Sequence, residues 1–316
     1  MKILVTGGCG YVGSVLVPDL LLQGHRIDVV DTQWFGSYLS THPNLRIIRK
    51  PVSAIDIDDV KDKDAVIHLA NIANDPSVDL NPVLSWEVNA LHTNQLLELC
   101  KRYSNISSFI YASSGSVYGV KSEEKVTEDL ELVPISVYNK TKMVTERICT
   151  SFEDSFSVYN VRPATVCGIS PRMRFDVVVN MFVFQAFKNK KITVLGGDQV
   201  RPNIHINDMS SVYSHLLSAA PKSGSYNAGF ENLLVSEIAN MVANKFGVEI
   251  EVKPSNDPRS YRQDSTKLLS TGFIPRFKTI DAINQIGDAL ESGAIEDNAR
   301  WHTVSWMKQI NSELVS

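Results

Sequence analysis

At 316 residues, with 43% hydrophobic and 21% charged residues, the chain is long enough for one large or two moderate domains around a substantial core. A formal net charge of −4 provides no general attraction for nucleic acid or an anionic membrane, so an anionic ligand must be held by local arginines and helix N-termini. Cys9, Cys100, Cys149 and Cys167 are scattered, with no C-x-x-C pair and no histidine cluster, which argues against structural zinc and a disulfide framework and predicts a reducing cytoplasm.

In chain order, residues 2–5 read as a short buried strand running into a glycine cluster. A helical pattern follows from Val12 to Gln23, and Gly24 is its stop. "RIDVVD" (26–31), "AVIHLA" (65–70), "SFIYAS" (108–113) and "FSVYNVRP" (156–163) read as further apolar strands, with helices between them around 83–102 and 136–152. Alternating strands and helices imply right-handed βαβ units and a doubly wound parallel sheet of the Rossmann kind, an α/β fold. After Pro163 the alternation lapses. Helices are expected near 175–189, 233–247 and 278–291 and a strand at "KITVLG", forming a smaller α+β region that completes a cleft. The expected division is a cofactor domain over 1–165, taking back a segment near 203–228, and a ligand domain over 166–316. The longest apolar stretch, "VVVNMFVFQAF" (177–187), is too short to span a bilayer, and the run in "MKILVTGG" is too short for a signal peptide. Trp301 and Trp306 predict that the polar tail docks on the body of the protein.

"TGGCGYVG" (6–13) places Gly7, Gly10 and Gly13 between the first strand and the first helix, with Tyr11 and Val12 in the turn. Glycine lets the backbone turn sharply and approach a pyrophosphate, and the helix N-terminus offers free N–H groups and a positive dipole. Asp31 closes the next strand, where a carboxylate accepts hydrogen bonds from the adenosine ribose and repels a 2′-phosphate. The pattern predicts NAD as the cofactor. With a nicotinamide in place, "IYASSGSVYG" (110–119) and "YNKTK" (138–142) gain meaning. Ser114 stands at the carboxyl end of a strand, where parallel sheets bind ligands. A lysine ammonium one turn from Tyr138 would stabilise its phenolate, making the phenol a usable base for an alcohol proton.

These motifs resemble the extended short-chain dehydrogenase/reductases, specifically the NAD-dependent nucleotide-sugar epimerase/dehydratase family in its UDP-glucose 4-epimerase-like form. The resemblance covers roughly residues 1 to 275 and rests on "TGGCGYVG", Asp31, "HLAN" (68–71), "SSGSVYG", "YNKTK", "RPNIHINDM" (201–209) and "DPRSY" (257–261). It implies Ser114, Tyr138 and Lys142 as catalytic residues. It implies Gly7, Gly10, Tyr11, Val12, Gly13, Asp31, Leu69, Ala70, Asn89, Tyr138 and Lys142 around the cofactor. For a nucleotide-sugar substrate it implies Ser114, Ser116, Tyr138, Arg172, Arg174, Asn180, Arg201 and Arg259, with Arg201 holding the sugar nucleotide and Arg259 clamping its diphosphate. "ATVCGISPRMRFDVVVN" (164–180) is similar to a branch that modifies GDP-linked heptoses. Family members also dimerise by packing two helices per subunit into a four-helix bundle. Here those helices carry Val88, Leu91, Leu96, Met143 and Ile148, each of which could equally face its own core.

The departures narrow the reading. Gly115 and Ser116 stand where 4,6-dehydratases carry an acidic pair, which disfavours water elimination. Lys50-Pro51 replaces a Gly-Asp that contacts adenine, and Arg162 is followed by Thr165 where many relatives have an asparagine. The leading expectation is 4-epimerisation of a nucleotide sugar, with Tyr138 as base. A nucleotide-sugar C4 dehydrogenase (a GDP-heptose enzyme, for example) or keto-sugar reductase is the alternative. A non-catalytic dinucleotide sensor would be expected to lose Tyr138 or Lys142. No metal, nucleic acid or membrane partner is expected.

Overall fold

Seven parallel strands form the central sheet, in the order β10-β6-β5-β4-β1-β2-β3. The computed structural model describes residues 1–255 and 260–314. The strands are β1 (Lys2–Thr6), β2 (Arg26–Asp31), β3 (Leu45–Arg49), β4 (Ala65–His68), β5 (Ser108–Ala112), β6 (Ser157–Pro163), β7 (Thr165–Cys167), β8 (Lys191–Leu195), β9 (Val200–His205), β10 (Gly224–Ala228), β11 (Glu231–Leu234) and β12 (Glu249–Lys253). The strand order reverses between β1 and β4, and that reversal opens a crevice at the carboxyl ends of the strands. β1, β4 and β5 are Val/Ile/Phe-rich and almost wholly buried because helices cover both faces.

The helix Gly13–Leu22 follows the glycine turn, and Val137–Thr150 carries Tyr138 and Lys142. The expected single helix at 83–102 is three segments: Pro82–Trp86, a π turn Glu87–Leu91, and His92–Tyr103. The π turn lets the buried Asn89 project its amide out of the helical ladder. β3 was not foreseen. Its half-exposed alternation with Arg46 and Arg49 gives a weak apolar signal. Lys50, just beyond it, pairs with Asp59 and Asp56, and Pro51 is extended ahead of a short 3₁₀ turn.

After Cys167 the chain builds a three-stranded sheet, β11-β9-β7, and a parallel pair, β12-β8. Between these it returns to the central sheet, where β10 pairs along β6. A second core of Met173, Phe175, Phe182, Val183, Ile238, Ile283 and Ile286 knits this region together. The tail ends in the helix Thr303–Leu314, which docks as the tryptophans predicted. Trp306 Nε1 donates to Trp34 O at 2.7 Å, and Phe175 N donates to Trp301 O at 2.9 Å.

Candidate active site

The glycine turn is built for close backbone approach. Gly7 has φ +72°, and a Cβ there would stand 2.6 Å from Ala70 N, so only glycine lets the β1 and β4 loops meet. A Cβ on Gly13 would come within 2.6 Å of Gly8 Cα, and one on Gly10 within 3.1 Å of Gly7 O. The Tyr11 and Val12 amides, just ahead of the helix, take no backbone acceptor among the described residues. A glycine cradle, two free amides and a helix N-terminus suit a dinucleotide phosphate. Tyr11 itself turns away from the turn. It donates its hydroxyl proton to Gly168 O at 2.7 Å and packs in the second core.

Asp31 ends β2 with its carboxylate accepting from Cys9 N at 3.0 Å and Gln33 N at 2.6 Å. Burial raises its pKa, and those two bonds with the Arg172 charge pull it back. The carboxylate thus binds the glycine turn to the loop beyond β2. Leu69 and Ala70 continue from β4 beside Gly7, their amides donating to Thr6 O at 2.9 Å and Thr6 Oγ1 at 3.4 Å. Asn89 holds the next stretch of this loop. It accepts from Ile72 N at 2.8 Å and donates to Ile72 O at 3.1 Å and Thr141 Oγ1 at 3.2 Å. Its amide therefore positions the loop and ties it to the helix of Tyr138.

Ser114, Tyr138 and Lys142 converge at the carboxyl end of β5. Ser114 caps the 3₁₀ turn Gly115–Tyr118, and its hydroxyl lies 2.8 Å from that of Ser116. Against burial, Ser114 and the Asn74 backbone N–H both act to lower the Tyr138 phenol's pKa. Lys142 Nζ donates to Ala112 O at 2.5 Å and sits 4.9 Å from the Tyr111 ring centroid and 5.8 Å from that of Tyr138. Burial drives the lysine down to about 7, against the pull of Glu146. Burial also raises the Tyr138 phenol; Ser114, Arg174 and the Asn74 amide oppose this, and Asp75 reinforces it. Two cations thus stand near Tyr138: Lys142, over its ring, and Arg174, whose charge favours the phenolate.

Spacing alone did not foresee the wall that brings Arg174 there. Asn74 has φ 71°, a strained conformation for a non-glycine residue. Its Oδ1 caps Ser77 N at 2.9 Å and its Nδ2 donates to Asp176 Oδ2 at 3.3 Å. Thr303 donates to Asp176 Oδ1 at 3.3 Å. Below the site, Glu146 accepts from Ser113 and pairs with Arg162 at 2.7 Å, and Arg162 also donates to Tyr118 Oη at 2.8 Å. This buried network fills the space around Arg162 and anchors the strand end that carries Ser113 and Ser114.

Asn180 is fully buried, accepting from Gly168 N at 3.1 Å and donating to Tyr11 Oη and Arg174 O, both at 2.9 Å. Its amide is committed to fixing these three segments. Arg172 is buried against the Phe35 ring, and its Nη2 donates to Thr303 Oγ1 at 3.1 Å. Arg201 is half-buried on β9, and Arg259 falls outside the described residues.

A profile of the NAD dependent epimerase/dehydratase family matches residues 3–229. The chain belongs to this family. Similar proteins include UDP-glucuronic acid decarboxylase 1 of Danio rerio, 27% identical over 90% of this chain and 71% of the relative. UDP-glucose 4-epimerase of Lactobacillus helveticus is 26% identical over 90% of this chain and 94% of its own length. Among solved structures, Thermus thermophilus UDP-glucose 4-epimerase in complex with NAD superposes with a TM-score of 0.82 at 26% identity, covering 93% of this chain and all of that one. This epimerase/dehydratase family member is thus an NAD-dependent enzyme of the extended short-chain dehydrogenase/reductase type, and its glycine cradle and Asp31 fit that cofactor. Among the described residues no helix is long and apolar enough to cross a membrane.

Proposed function

We propose that this protein is a cytoplasmic nucleotide-sugar 4-epimerase in which Tyr138 is the acid/base. The observation that carries the reading is that Lys142, anchored on Ala112 O and lying over the Tyr138 ring one turn away, brings that helix to the carboxyl end of β5 where Ser114 caps the next turn. Gly7, Gly10, Tyr11, Val12, Gly13, Asp31, Leu69, Ala70 and Lys142 would hold NAD, with Asn89 shaping the loop. When bound, NAD supplies a hydride acceptor and donor for a sugar carbon. Ser114 and Ser116 present hydroxyls that hold the sugar oxygen. Tyr138 removes the sugar hydroxyl proton and later returns it. Buried Arg174 stabilises the phenolate, because opposite charge favours the ionised form. Lys142, anchored on Ala112 O, keeps further N–H donors for the nicotinamide ribose. Residues 1–165 with the returning 203–228 segment serve the cofactor. Residues 166–316 supply Arg201 and Arg259, whose forks match phosphate oxygens.

The test is to incubate the enzyme with UDP- and GDP-sugars and follow both epimer formation by mass spectrometry with chromatography and NADH absorbance. Epimer without accumulated NADH supports the reading. Stoichiometric NADH with a released keto sugar replaces it with a C4 dehydrogenase. Tyr138→Phe should lower turnover at least about 10²–10⁴-fold, the range of general acid–base catalysis, while NAD binding persists. Near-normal turnover in that variant would remove Tyr138 from its role.

A further inference from the structure

The C-terminal helix Thr303–Leu314 lies across the crevice as an arm with a fixed root and a lightly fastened shaft. At the root, Trp301 packs edge-on to Phe175, ring centroids 5.8 Å apart, and its carbonyl accepts from Phe175 N. The His302 ring packs against Phe184 at 5.4 Å, and its Nε2 lies 2.8 Å from Asp297 Oδ1. Ahead of this root, every residue from Glu291 to Arg300 except Ile295 is exposed. Beyond it, among the described side chains of the helix, Thr303 and Met307 are the buried ones, one turn apart on one face. The preceding helix, Thr279–Glu291, buries seven residues. The arm is therefore fastened by much less apolar surface than its neighbour, and elements held in this way open locally without global unfolding.

What the arm touches defines what it covers. Trp306 Nε1 donates to Trp34 O at 2.7 Å, in the loop beyond β2. The arm also packs on the helix Asp75–Val78, beyond β4. Met307 shares a cluster with Trp34, Phe35, Ile72, Val78 and Tyr138, the last at the start of the helix beyond β5. β2, β1, β4 and β5 are neighbours in the sheet, so the arm bridges the two flanks of the glycine turn, which follows β1. A dinucleotide held by the glycine turn, Asp31 and Lys142 would run beneath that bridge.

We propose that the helix Thr303–Leu314 is a gate over the dinucleotide, turning about Trp301 and His302 and latched by the Trp306–Trp34 bond and the Met307 contact. NAD enters and leaves when the gate lifts. The proposal rests on NAD binding and is independent of which sugar is epimerised.

The test follows NADH fluorescence by stopped flow on the full chain freed of nucleotide, in binding and in displacement by excess NAD. Trp306→Phe keeps an aromatic ring and removes the latch bond; Met307→Ala removes the buried anchor. A gate limits entry and exit alike, so a weaker latch raises both rates by the same factor and leaves Kd nearly unchanged. Trp306→Phe should raise both about fivefold, the worth of one net hydrogen bond in an equilibrium constant. Met307→Ala should raise both at least about tenfold. By hydrogen exchange, the backbone amides of Trp306–Ile310 should open faster than those of Val178–Asn189 in the parent, and faster still in both variants. Unchanged rates in both variants would overturn the proposal. Faster release with unchanged association would make the helix a fixed wall against NAD and overturn it as well. If Met307→Ala fails to fold, Trp306→Phe and the exchange of the parent decide: arm amides that open only with the whole protein would make the helix a permanent part of the core.

Discussion

Arg174 grips Asp176 through two near-parallel hydrogen bonds, Nε to Oδ1 at 3.0 Å and Nη2 to Oδ2 at 3.2 Å, with the two side chains only 15% and 17% exposed. Each holds the other's charge: the carboxyl is pulled below its ordinary range and the guanidinium is raised, both against burial. Arg174 lies in electrostatic reach of Tyr138, and its partner Asp176 carries the opposing charge. Arg174→Met should raise the phenol's pKa and move the alkaline onset of turnover to higher pH. Asp176→Asn removes the opposing charge and should move that onset to lower pH. Opposite shifts in kcat–pH profiles would establish the relationship; shifts in one direction for both variants would break it.

Asp31 should make NAD the preferred cofactor. Its carboxylate is held by Cys9 N and Gln33 N, so it cannot swing away from a 2′-phosphate without breaking the turn. Fluorescence titration should find NADH bound more tightly than NADPH, and Asp31→Asn should narrow the gap. Tighter NADPH binding by the parent protein would remove Asp31 from that role.

The enzyme should form a homodimer through the helices Pro82–Trp86, His92–Tyr103 and Val137–Thr150. Leu91 is 58% exposed at the end of the π turn, whereas Leu96 faces the protein's own core. Leu91→Asp should give a monomer by light scattering at micromolar concentration while NAD binding persists. A parent protein that is already monomeric at that concentration would contradict the assembly.

His68 should make stability fall on acidification. It is buried between Thr6 Oγ1 at 2.6 Å and Thr93 Oγ1 at 2.8 Å, and burial lowers its pKa to about 3. Between pH 6.5 and about 3 the unfolded chain therefore binds a proton that the folded chain refuses, so stability rises with pH there and is lost as pH falls. One such group contributes a slope of up to about 1.4 kcal/mol per pH unit. His68→Asn should be less stable than the parent at pH 7 yet show a shallower slope in urea melts between pH 6 and 4. An unchanged slope would exclude His68 as the group responsible.

The glycine turn, Asp31 and the Ser114–Tyr138–Lys142 constellation were legible because local spacing dictates their geometry. So were β1, β2, β4, β5 and β6, whose apolar runs signal strands buried on both faces. β3 escaped because Arg46 and Arg49 break its apolar run. The π turn at Asn89 escaped because Glu87–Leu91 carries no breaker residue. The location of Arg172 and the pairing of Arg174 with Asp176 depend on contacts with residues far along the chain: Phe35, Asn74 and Thr303. Spacing within "SPRMRFD" does not encode these. Nor does one-turn spacing report burial, which pulls the Lys142 pKa down, or the second cation, Arg174, near the phenol.

The pairing of β10 with β6 has a consequence for how the chain is made. A ribosome that has released residues 1–165 has produced the whole central sheet except its outermost strand. Until Gly224–Ala228 emerges, β6 presents a bare row of backbone donors and acceptors, and Val158, Tyr159 and Val161 lack their final cover. Such an edge invites pairing with another nascent copy. A gene fragment stopping after β6 would therefore be expected to aggregate. One extended through Ala228 would at least complete the sheet.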